Sequence, residues 1–122
     1  MYTVTALDHV QLAMPAGEEA RAEAFYSGLL GLDRQDKPAP LAVRGGCWFS
    51  NGAVSIHLGV ESGFRPAKKA HPALVVDGLD ALVGSLEVAG HPFVWDTELP
   101  GVRRGYVDDP FGNRIELIGG PG

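Results

Sequence analysis

The chain has 122 residues, 45% hydrophobic and 20% charged, with 10 basic residues against 15 acidic and a formal charge of −5. That length holds one compact domain, and a mean hydropathy of +0.03 excludes a disordered or an all-apolar chain. The acidic balance, with Lys68-Lys69 and Arg103-Arg104 as the longest basic clusters, argues against nucleic-acid binding, which needs a basic face to neutralise phosphates.

No apolar run approaches the roughly 18 residues that span a bilayer, and "MYTVTALDHV" lacks the basic and then apolar regions of a secretion signal. The expectations are therefore no membrane partner and a cytoplasmic location. The single cysteine, Cys47, excludes an intrachain disulfide and a cysteine-cluster zinc site. Cys47 reads as a small buried apolar residue, since nothing near it in sequence would lower its pKa.

The first apolar segment, near 6 to 14, reads as a strand. Ala22, Phe25, Tyr26 and Leu29 then fall at helical spacing, with Gly31 just beyond as a left-handed stop. Strands are expected near 43 to 50 and 53 to 60, joined by "SNG". After a polar stretch comes a strand near 72 to 76. A second helical stripe follows in Leu79, Leu82, Val83, Leu86 and Ala89, stopped by Gly90. Strands near 93 to 95, 102 to 107 and 113 to 118 close the chain, the last two joined by "DPFGN".

The two halves repeat. His9 lies over His71 at an offset of 62, and Ile56-His57-Leu58 over Ile115-Glu116-Leu117 at an offset of 59. The chain is thus expected to be a single α+β domain built of two tandem β-α-β-β-β modules, about 1 to 61 and about 69 to 119. The second strand of each module carries the faintest pattern.

Strand parity assigns faces. Val10, Leu12 and Met14 oppose His9, Gln11 and Ala13; Val54, Ile56 and Leu58 oppose Ser55, His57 and Gly59. Leu74 and Val76 oppose His71, Ala73 and Val75, while Ile115 and Leu117 oppose Arg114, Glu116 and Ile118. Each of these strands has an apolar face to hold a helix and a second face carrying one metal-ligand type. Three imidazoles and a carboxylate at matched places form a candidate ligand set for a divalent Zn, Ni, Mn, Co or Fe ion.

With "LDHVQLAMP", "FYSGLLGL", "HPALVVDGLDAL" and "YVDDPFGNRIEL", the chain resembles the vicinal oxygen chelate superfamily over nearly its whole length. That superfamily groups glyoxalase I, fosfomycin resistance proteins, bleomycin resistance proteins, methylmalonyl-CoA epimerase and extradiol dioxygenases. The resemblance implies that the two modules curl into a cup of mixed sheet around a metal, often completed in a homodimer, with His9, His57, His71 and Glu116 at the ligand positions. Glyoxalase I and the epimerase carry Glu or Gln where this chain has His57. A two-histidine, one-glutamate set would instead use His9, His71 and Glu116, making His57 a fourth ligand or a proton-transfer group. Catalytic roles then fall to Glu116 and His57.

Tyr106 falls where fosfomycin resistance proteins carry a substrate-facing tyrosine, and parity brings Arg104 to the same face, where it could clamp a carboxylate or phosphonate. Both are expected to bind substrate. Trp48 and Trp95 are read as core or dimer packing, His91 as a surface loop residue, and Asp108 and Asp109 as turn residues. The expected function is a metal-dependent glyoxalase-like enzyme, of lyase, isomerase or dioxygenase type, acting on a small oxygen-chelating substrate. The alternative is a metal-free module, similar to bleomycin resistance proteins, that sequesters a drug or metabolite. A homodimer is expected on physical grounds too, since pairing covers the sheet edges and the open cup of so small a domain.

Overall fold

The computed structural model describes residues 1–121. Its elements run β1 (Val10–Met14), α1 (Glu19–Tyr26), β2 (Asp33–Gln35), α2 (Ala39–Ala42), β3 (Cys47–Ser50), β4 (Ser55–Val60), β5 (Ala73–Val76), α3 (Leu79–Val88), β6 (Val94–Asp96), β7 (Arg104–Asp108) and β8 (Arg114–Gly119). They form two four-stranded sheets of identical design, ordered β1-β4-β3-β2 and β5-β8-β7-β6. In each, the first strand pairs parallel with the last, and the remaining pairs are antiparallel. A parallel neighbour needs a crossover, and α1 or α3 lies in the connection. No helix among the described residues is long and apolar enough to cross a membrane.

Most of each expected helix stripe is buried, though Leu82 is only partly so and Ala89, just beyond α3, is exposed. Ala22, Phe25 and Tyr26 of α1 and Leu79, Val83 and Leu86 of α3 join Leu12, Met14, Phe49, Ile56, Leu58, Val107, Ile115 and Leu117 in one core. Leu29 lies beyond the end of α1, and Gly31 and Gly90 take φ of +77° and +88°, the left-handed geometry that ends a helix without a Cβ penalty.

Three differences from the sequence reading stand out. The first strand starts at Val10, so residues 6 to 9 precede it. The second strand of the first module is Asp33-Arg34-Gln35, fully exposed and without one apolar side chain, so hydrophobic patterning carried no trace of it. A one-turn helix with no buried residue, α2, interrupts the 36 to 46 segment.

A buried polar joint links the modules. Tyr26 of α1 donates to Asp109 Oδ2 at 2.7 Å, and Asn113 Nδ2 donates to the same oxygen and to the Ala13 carbonyl. Asn113 Oδ1 accepts from the Ala67 amide, while Asp109 Oδ1 accepts from the amides of Phe111 and Asn113. Asp109 is thus the expected turn residue and also the anchor of α1. Burial, reinforced by the Asp109 carboxylate, holds the Tyr26 phenol pKa well above its ordinary value.

Candidate metal and substrate site

His57, Arg104, Tyr106 and Glu116 lie within the strands, while His9 and His71 just precede β1 and β5. On the first sheet, Trp48 and His57 are cross-strand partners and Gln11 lies on the other side of His57. His9, just before β1, lays its ring on His57 at 4.0 Å and 16°, and His57 lies on Trp48 at 4.2 Å and 9°. Trp48 therefore serves the open face rather than the core. Trp95 is 41% exposed and packs under the Arg103 guanidinium at 4.6 Å. Burial first, then the neighbouring His9, lowers the His57 pKa. An imidazole lone pair lies in its ring plane, so two parallel stacked rings cannot both aim at one ion about 2.0 to 2.1 Å from each nitrogen. In this arrangement His9 and His57 do not share an ion.

The second sheet carries the denser cluster. Glu116 on β8 is buried at 8% exposure. Its Oε1 lies 2.9 Å from His71 Nε2, and its Oε2 accepts from Arg104 Nη1 at 3.1 Å. Arg104 also reaches Tyr106 Oη at 3.2 Å and Asp96 Oδ2 at 3.3 Å. Burial pushes the Glu116 carboxyl pKa up, but the contacts with His71 and Arg104 outweigh it and leave the pKa below its usual value. The hydrogen bond to Glu116 raises the Arg104 pKa. The expected substrate clamp is thus already neutralised by two carboxylates, and its first task here is to hold Glu116. Asp96, opposite Arg104 across β6 and β7, lies one residue beyond the strand expected near 93 to 95.

His71 has an acceptor at both ring nitrogens. The Lys69 carbonyl lies 2.8 Å from Nδ1, and a carbonyl only accepts, so Nδ1 carries the proton. Nε2 lies within hydrogen-bond distance of Glu116 Oε1, an imidazole–carboxylate contact. Metal-binding histidines commonly donate their other N–H to a backbone carbonyl in this way, and imidazole plus carboxylate suits a divalent transition ion. His71 and Glu116 thus supply two donors of the set that the resemblance implies. His9 lines the same crevice of about 370 Å³ as His71, but among the described residues no three His, Cys, Asp or Glu side chains gather closely enough to hold an ion. The structure brings together His9 with His57 and His71 with Glu116, and leaves the two pairs apart.

Cys47 is buried, which pushes its thiol pKa up to about 11, as its inert reading requires. His91 lies in the loop ahead of β6, as expected, and its ring tilts against Phe25 at 4.9 Å.

Two sheets of this design, with matched polar faces and a helix behind each, define the vicinal oxygen chelate fold. A glyoxalase family protein from Bacillus anthracis is 45% identical to this chain, with 98% of each chain covered and a TM-score of 0.92. The chain belongs to that family. The fosfomycin resistance protein FosX from Listeria monocytogenes (15% identity, 97% of this chain and 95% of that one, TM-score 0.76) shares the fold. So does lactoylglutathione lyase from Agrobacterium tumefaciens (22% identity, 98% and 96%, TM-score 0.69). No protein-family model and no curated protein matches the sequence.

Proposed function

We propose that this protein is a metal-dependent enzyme of the glyoxalase family acting on a small molecule that chelates a divalent ion through oxygen. The observation that carries this reading is the His71–Glu116 pair, an imidazole and a carboxylate 2.9 Å apart on one polar face. His71 and Glu116 would hold the ion, with His9 as third donor. A bound ion would supply Lewis-acid polarisation of a substrate oxygen. The other roles belong to the chain. Arg104 fixes the Glu116 carboxylate through Oε2, Tyr106 walls the site with its ring edge-on to His71 at 5.5 Å, and His57, pinned between His9 and Trp48, accepts a substrate proton. Lyase or isomerase chemistry suits that arrangement of one carboxylate and one imidazole base.

The proposed assembly is a homodimer in which the first sheet of one copy closes over the second sheet of another, uniting the two pairs. Support comes from apolar groups that a second copy would cover: Tyr2, Val4 and Leu7 ahead of β1, at 92%, 89% and 79% exposure, and Val75 on the edge strand β5 at 67%. One observation favours the second reading, a metal-free binding module: Arg104 already neutralises the Glu116 oxygen that faces away from His71. Elemental analysis of protein purified without chelator or nickel resin separates the two, followed by a panel of glyoxal hemithioacetals, fosfomycin and catechols. Stoichiometric metal per chain supports the enzyme; metal-free protein that binds a panel member without turning it over supports the binding module. Sedimentation at micromolar concentration tests the dimer.

A further inference from the structure

A concavity of about 970 Å³ lies between α1 and the Asp108–Arg114 end of the second sheet. None of the four candidate ligands lines it, but Tyr106 does, and the same Tyr106 ring stands edge-on to His71. The cavity is therefore separated from the His71–Glu116 pair by one aromatic ring. Its apolar wall is Phe25, Leu29, Pro92 and Val94.

The charges around it are unequal in their pairing. Arg21 is bound to Glu18 and to the Pro110 carbonyl, both at 2.9 Å. Asp108 pairs with Lys68, and Asp109 is committed to Tyr26, Asn113 and two backbone amides. His91 Nδ1 lies 3.3 Å from the Asp108 carbonyl. Arg114 differs from all of these. Its guanidinium, half-buried and 5.0 Å from the Tyr106 ring centre, has no hydrogen bond or ion pair among the described residues. A half-buried guanidinium presents five N–H donors in a planar fork matched to a carboxylate or phosphoryl group, and beside Arg114 that acceptor is missing. It projects from the same strand face as Glu116, two residues away.

We propose that this cavity is a substrate subsite for an amphipathic anion, with a carboxylate or phosphoryl group on Arg114 and an apolar body against Leu29, Pro92 and Val94. Tyr106 then divides an anchoring compartment from the reacting one, so that a substrate held by its anionic end presents its other end to Glu116. This deepens the metal-enzyme reading and, as regards orientation, rests on it; the anion subsite itself does not.

The test is calorimetric titration of the full chain with phenylphosphonate, 3-phenylpropanoate and the neutral benzyl alcohol, run beside a titration with manganese(II). Expected are binding of at least one anion ten times or more tighter than benzyl alcohol, and a loss of tenfold or more in Arg114→Gln, the scale for removing one side of a charge-assisted pair. Arg114→Lys should recover part of it. The preferred anion identifies the headgroup as phosphoryl or carboxylate. Val94→Glu, which puts a carboxylate on the cavity wall, should weaken the anion by a larger factor than the neutral probe, which loses only an apolar contact. Anions bound no better than benzyl alcohol, or equally well by wild type and Arg114→Gln at unchanged melting temperature, would overturn the subsite. Absence of manganese binding in the wild type counts against the metal reading alone, because Arg114 is outside the proposed donor set and Arg114→Gln should take up manganese as wild type does.

Discussion

Glu116 and Leu117 are adjacent in sequence and opposite in environment, and replacing each in turn separates site from core. Leu117 is 0% exposed and lies on the face of β8 that joins Leu79, Val83 and Leu86 of α3 in the core. Burying a leucine is worth about 1.5 to 3 kcal/mol, and with the cavity left behind Leu117→Ala should cost about 2 to 5 kcal/mol. For a chain of this size that is a melting temperature lower by roughly 8 to 20 °C. Glu116→Gln keeps the shape and one acceptor oxygen. It removes the charge opposite His71 Nε2 and Arg104 Nη1, and Asp96 still holds Arg104. Its melting temperature should fall by only a few degrees, while divalent-ion affinity drops tenfold or more because the anionic donor is gone. Thermal melts paired with manganese titrations read both quantities. Equal melting losses, with unchanged metal uptake in Glu116→Gln, would refute the parity argument and make the glutamate a structural residue.

Asn113→Ala should destabilise the fold by about 1 to 3 kcal/mol in urea titrations, because it strands the part-buried Ala67 amide and Ala13 carbonyl together with part of the buried Asp109 carboxylate. A change under 1 kcal/mol would mean that the joint between modules carries no strain-free hydrogen bonds worth keeping. Tyr26 gives a pH signature. Its folded pKa is raised above the unfolded value near 10, so its contribution is complete below pH 10 and declines as pH rises above it, by up to about 1.4 kcal/mol per unit. Wild type should therefore lose stability between pH 10 and 11.5 more steeply than Tyr26→Phe, as measured by urea unfolding at each pH; parallel curves would refute the assignment. Gly46→Ala should fold poorly: φ is +81° and a Cβ would meet the Leu58 carbonyl oxygen, a clash that no side-chain adjustment relieves. Its soluble yield and melting temperature are the readout.

Period-two and helical spacing are local properties, and they were enough to place His57, Glu116, Arg104 and Tyr106 on polar strand faces and Leu117 and Ile56 in the core, whereas His71 lies two residues ahead of β5. The half-chain repeat likewise made two modules legible, because each module repeats the same order of elements whatever its partner does. Where local chemistry is silent, so was the sequence. Asp33-Arg34-Gln35 is a strand only because β3 offers it an edge to pair with, and its side chains carry no apolar pattern to announce it.

Contacts between distant residues were decided by tertiary structure alone. Asp109 reads as a turn former in "DPFGN", yet its second oxygen anchors Tyr26, 83 residues away. Arg104 reads as a free clamp, yet β6 supplies Asp96 and β8 supplies Glu116 to hold it. The ligand set shows the same division. Residue type and strand parity named four donors, but which donors meet depends on how one sheet sits against another. In this chain the first sheet unites His9 with His57, the second unites His71 with Glu116, and no period in the sequence encodes the distance between them.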